Sequence, residues 1–89
     1  MYYVYLLIDR YGNFYIGYTN NLKRRLKEHA KGKSNYLRKR RPIKLIYYEA
    51  FLSKVDARKR ELTLKKYGST LAQLKKRLKN SLKIVGREI

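Results

Sequence analysis

The chain opens on a run of aromatic and branched apolar residues, Tyr2-Tyr3-Val4-Tyr5-Leu6-Leu7-Ile8, too short for a buried helix and therefore read as a strand. Turn chemistry follows around Gly12-Asn13, and residues 14–19 resume the strand pattern, which predicts a hairpin. If the turn pairs Ile8 with Phe14, antiparallel register sets Tyr5 opposite Gly17 and Leu7 opposite Tyr15. Alternation then places Tyr5, Tyr15 and Gly17 on one face, and Val4, Leu6, Ile8, Phe14 and Ile16 on the other. A glycine facing a tyrosine leaves a gap that could admit a phosphate, although a strand glycine more often marks a bulge or a tight packing contact.

Thr19 or Asn20 is placed to cap a helix running to about Lys31, with Gly32 ending it. Leu22, Leu26 and Ala30 form its apolar stripe; Arg25 and His29, four apart, share a face beside that stripe. Residues 32–42 lack apolar periodicity and read as a long basic loop, with Lys33, Arg38, Lys39, Arg40 and Arg41 as phosphate contacts and Tyr36 as an exposed stacking platform. Ile43 to Phe51 predict a third strand. Ser53 and Asp56 match a helix-start box, with Val55, Leu62 and Leu64 as core positions and Tyr67-Gly68 at the end. A last helix opens at Thr70 and Gln73 and carries Leu71, Leu74, Leu78, Leu82 and Val85 as one stripe, with Lys75, Lys76, Arg77, Lys79 and Lys83 on its other face. The order β-β-α-β-α-α predicts an α+β fold, a three-stranded antiparallel sheet flanked by about three helices, in one domain over residues 1–89.

Composition sharpens this picture. Twenty-four Lys and Arg against six Asp and Glu give a formal charge of +18 in 89 residues, and the charge recurs beside ten tyrosines, so a polyanion is the natural partner. There is no cysteine, which excludes disulfides and thiolate metal sites. No apolar run approaches the ~20 residues of a membrane span, and the N-terminus turns polar too early for a signal peptide. The expectation is a cytoplasmic protein, nucleoid-associated in a bacterium, that binds no membrane.

Four stretches then resemble, in order, the GIY-YIG nucleases. Tyr3-Val4-Tyr5 is similar to the first triad, with Tyr3 and Val4 standing where the family name has Gly and Ile. Tyr15-Ile16-Gly17 is similar to the second, Asn21-Leu22 through Arg25 and His29 to the helix motif, and Ala57 to Lys65 to the glutamate-bearing helix. The resemblance implies phosphodiester hydrolysis with one divalent ion, magnesium or manganese, held by Glu61. It also implies that Arg25 stabilises the scissile phosphate, and that Tyr5, Tyr15 and His29 position or deprotonate the attacking water. Lys65 is placed beside them as a nucleic-acid contact.

Chemistry is consistent with those roles. A guanidinium matches a phosphate, a hard cation on a carboxylate offsets developing charge, and a water must lose a proton. A free phenol is a poor base at neutral pH, but a positive field from Arg25, lysines and a metal would favour phenolate, so Tyr5 is read as the base with His29 as its rival. A purely structural role for Glu61 would be pairing with Arg58 or Lys65 at helical spacing. The functional expectation is a metal-dependent DNA endonuclease, structure-selective or weakly specific, in repair, recombination or mobile-element biology. DNA, branched and flapped forms included, is expected ahead of RNA, and a second copy or a separate targeting protein would direct the module. Two rivals stand beside it: a non-catalytic DNA- or RNA-binding module, and a structural protein of a ribonucleoprotein particle.

Overall fold

The computed structural model describes residues 1–88, so the last position of the expected 1–89 domain lies outside the described residues. Strand β1 (Tyr2–Ile8) is central, with β2 (Phe14–Thr19) on one side and β3 (Lys44–Phe51) on the other, both antiparallel to it. The hairpin has the expected register, Ile8 opposite Phe14, Leu7 opposite Tyr15 and Tyr5 opposite Gly17. Asp9 builds the turn: its Oδ1 accepts from the backbone N–H of Tyr11 at 2.8 Å and of Asn13 at 2.9 Å, and Gly12 takes a positive φ of 85°.

Helices cover both faces of the sheet. On one face lie α1 (Leu22–Ala30) and a short α2 (Asn35–Arg38), packing Leu22, Leu26 and Leu37 against Tyr5, Leu7 and Tyr15. On the other lie α3 (Lys54–Lys66), α4 (Gly68–Arg77) and α5 (Lys79–Glu88), whose Ala57, Leu64, Leu74 and Leu78 close over Val4, Leu6 and Ile16. Among the described residues no helix is long and apolar enough to cross a membrane.

Four local expectations need correction, and one feature of β3 was not foreseen. The cap of α1 is Asn21, whose side chain accepts from the Arg24 N–H at 3.0 Å, while the Thr19 hydroxyl is spent on the Asn21 backbone. The basic loop is not structureless, because Leu37 is 1% exposed and anchors a helical turn inside it. Val55 and Leu62 are 60% and 62% exposed; the buried face of α3 is Ala57, Glu61 and Leu64. The expected last helix breaks at Leu78 into α4 and α5, which with α2 brings the helices among the described residues to five; Leu82 packs against the sheet-side core and Val85 is buried. Finally, β3 carries a bulge: Leu6 pairs with Tyr47 but Leu7 with Leu45, leaving Ile46 unmatched. The extra residue sends both Ile46 and Tyr47 to the α3 side and swings Leu45 to the α1 side.

Candidate active site

The site grows from the pairing of Tyr5 with Gly17. Tyr5 sits on the central strand and points to the α1 side, and its ring lies across the glycine on the neighbouring strand. A Cβ on Gly17 would overlap Cζ and the hydroxyl oxygen of Tyr5. Packing has therefore taken the gap in which the sequence left room for a phosphate. So placed, the phenol reaches over the sheet to α1, where its oxygen lies 2.9 Å from Nε2 of the buried His29.

Around this bond the other aromatic rings assemble. Tyr15 meets His29 edge-on at 5.8 Å and stacks with Tyr36 at 6.1 Å, and the Arg40 guanidinium covers the Tyr36 ring at 4.7 Å. Tyr36, exposed as expected, is thus the outer ring of a ladder leading to Tyr5. Arg25, one turn before His29, lies beside the Tyr5 hydroxyl and opens onto a cleft of about 510 Å³ lined also by Tyr18, Thr19, Arg24 and Lys54.

Electrostatics assign the protonation states. Burial raises the Tyr5 pKa above that of a free phenol; Arg25 opposes this, Tyr15 and Glu61 reinforce it, and the net shift is upward. Without a bound ion, desolvation thus outweighs the Arg25 field and favours the protonated phenol. His29 is displaced below 6.5, first because burial penalises imidazolium and then because Arg25 is near, with Glu28 opposing. At neutral pH the pair is a protonated phenol beside a neutral imidazole.

The sign of the pH dependence follows. The unfolded chain binds a proton near 6.5 and the folded one resists it, so this stabilising contribution is complete above 6.5 and is lost as the pH falls below it. His29 is the one histidine in the chain. In urea melts between pH 7.5 and 5.5, wild type should therefore lose more stability on acidification than His29→Asn; parallel losses would refute the buried neutral imidazole.

Glu61 comes from the buried face of α3 and is 7% exposed. Its oxygens meet Lys65 Nζ at 2.9 Å and Arg58 Nη1 at 3.5 Å, both partners that helical spacing offers. Arg58 also lies over the Tyr18 ring at 4.8 Å, a contact that ties α3 to β2 and that only the tertiary fold creates. Among the described residues no three His, Cys, Asp or Glu cluster as a polydentate metal site. A lone carboxylate, here paired with the half-exposed Lys65 and Arg58, fits a magnesium-type ion that keeps most of its waters. Within the basic loop, Arg40 is bound to Asp9 at 3.3 Å and Arg41 to the carbonyls of Ala30 and Arg38, whereas Lys33, Arg38 and Lys39 have no acidic partner among the described residues.

The GIY-YIG catalytic domain family matches residues 1–75. The chain belongs to the GIY-YIG family. The GIY-YIG chain is 48% identical over 65 residues to a UPF0213 protein of Streptococcus pneumoniae, covering 72% of this chain and 66% of that one, so it spans just under two thirds of that relative's length. A UPF0213 protein of Clostridium perfringens is 45% identical over 67 residues, 74% and 72% of the two chains. The solution NMR structure of a UPF0213 protein from Bacillus halodurans superposes on the GIY-YIG fold described above with a TM-score of 0.54 at 40% identity, covering 84% of this chain and 86% of that one.

Proposed function

We propose that the protein is an endonuclease that hydrolyses DNA phosphodiester bonds with one bound magnesium or manganese ion, choosing its substrate by nucleic-acid structure more than by sequence. The observation that carries this is the Tyr5–His29 hydrogen bond, with Arg25 at its side and the Glu61 carboxylate within electrostatic reach of the same phenol. A cytoplasmic setting, where such substrates occur, goes with it.

The chain's own groups divide the work. Arg25 binds a non-bridging oxygen of the scissile phosphate and stabilises the charge that develops there. Tyr5 hydrogen-bonds the attacking water, and His29, neutral and already joined to the phenol, takes up the proton that leaves. Tyr15 holds the imidazole by its edge contact. Glu61 would hold the ion, which supplies further charge neutralisation at the phosphoryl oxygens. One such site cuts one strand; a second copy would be needed to cut both.

The test is cleavage of labelled single-stranded, duplex and branched DNA with magnesium and with a chelator, beside Arg25→Ala. Wild type should cut only with the metal. Arg25→Ala should bind nearly as well and cut about 10²-fold more slowly, as when one oxyanion-stabilising donor is removed. Tight binding without cutting on every substrate would replace the nuclease reading with that of a binding module. Binding itself should weaken steeply with salt, with a log–log slope of about −0.9 for each phosphate neutralised on duplex DNA. A flat response would remove nucleic acid as the partner.

A further inference from the structure

Behind His29, away from Tyr5, the fold leaves a second and larger cleft of about 890 Å³. Its walls are apolar, with Leu7 from β1, Leu26 from α1, and Ile43 and the bulge-displaced Leu45 from β3. Its mouth is basic: Arg10, Arg38 and Lys39 reach it, and Arg41 frames it by holding the carbonyls of Ala30 and Arg38 at 3.1 and 3.0 Å. His29, 2% exposed, contributes to the wall. Its Nε2 is taken by Tyr5, and its Nδ1 is buried without a hydrogen-bond partner. Such orphaned polar atoms are few in folded proteins and ask for an explanation. In either imidazole tautomer this nitrogen retains an unused donor or acceptor.

These features select their occupant. An inorganic phosphate would gain nothing from leucine walls, and an uncharged apolar molecule would gain nothing from the cationic mouth. A nucleotide satisfies both, its flat base entering the apolar space beside the His29 ring and its phosphates remaining among Arg10, Arg38 and Lys39.

We infer that this cleft receives one unpaired base of the nucleic-acid strand, seated behind the imidazole whose other nitrogen holds the candidate catalytic phenol. The inference rests on the reading of the protein as a nucleic-acid enzyme and extends it to substrate class: strands carrying a bulged or otherwise unpaired nucleotide. Extruding a paired base costs a few kcal/mol, and a base already unpaired avoids most of that cost, so selectivity arises without reading sequence.

The test compares a duplex carrying a single bulged 2-aminopurine with a fully paired duplex carrying the same base, with a chelator present to prevent cutting. Wild type should bind the bulged duplex about tenfold or more tightly, and 2-aminopurine emission should rise as the base leaves its stacked neighbours for a lining that is mostly aliphatic. The imidazole Nδ1 resonance, unambiguous because His29 is the one histidine, should shift with the bulged duplex and not with the paired one. Ala30→Trp fills the mouth from an exposed position at the end of α1, and Leu45→Glu places a carboxylate in the lining; each should make the two duplexes bind alike. Should Ala30→Trp fail to fold, Leu45→Glu decides. Equal binding of both duplexes by wild type, or a preference that survives both substitutions, overturns the base site and leaves the nuclease reading standing. Failure of wild type to bind any nucleic acid overturns both.

Discussion

Replacing Gly17 with alanine should lower stability by about 2–4 kcal/mol, the sum of overpacking a tight contact and losing a buried hydrogen bond. The cause is local and steric. The new methyl must share space with the end of the Tyr5 ring, which cannot retreat because Leu7, Leu37 and His29 enclose it. For a domain of this size each kcal/mol corresponds to roughly 4–8 °C, so thermal melting should fall by about 10–30 °C. The same displacement pulls the phenol from His29, and cleavage should disappear with it. A second substitution isolates the cause. Tyr5→Leu alone leaves a cavity, but combined with Gly17→Ala it gives the methyl room, so the double variant should be clearly more stable than the two separate losses predict. Strict additivity, or a melting temperature within a few degrees of wild type for Gly17→Ala, would show that this glycine is not held by the ring above it.

Glu61→Gln should abolish cleavage, by about 10³-fold or more, because charge stabilisation by a bound ion is worth several kcal/mol and each 1.36 kcal/mol is a factor of ten. The amide keeps the shape of the carboxylate and removes its charge. Stability should change less than cleavage: the amide is isosteric, needs no counter-charge in its buried position, and leaves Lys65 and Arg58, about half exposed, free to reach water. DNA binding should be retained or slightly tightened, since one of six acids has gone from a basic protein. Lost cleavage with intact binding would place Glu61 in the chemistry. Cleavage within about tenfold of wild type would relegate it to a helical ion pair.

The hairpin was legible because three signals agree there: a Gly-Asn turn, strand composition on both sides and a register that puts Tyr5 over Gly17. α3 misled for an instructive reason. Its buried positions, Ala57, Glu61 and Leu64, keep helical spacing, but the middle one is a carboxylate, so an apolar pattern drawn through Val55 and Leu62 selects the wrong face. Local agreement fails at the residue proposed to do chemistry, where a fold tolerates such conflict. The bulge at Ile46 and the burial of Leu37 had no local signal, since a one-residue slip and a single leucine among arginines acquire meaning only against the opposite strand and helix. The burial of Tyr5 was also not legible, because a sequence shows neighbouring cations but not the loss of water that opposes them.

The central placement of β1 matters before the protein is finished. Its two neighbours are separated along the chain: β2 follows at once, but β3 begins only at Lys44. While the polypeptide is being made, the hairpin closes first, and one edge of its most apolar strand stays open until residues 44–51 have emerged. Such an edge is a template for another copy of itself. The sequence of that interval, residues 31–41, is dense in lysine and arginine, and like charge holds nascent chains apart until the missing strand arrives.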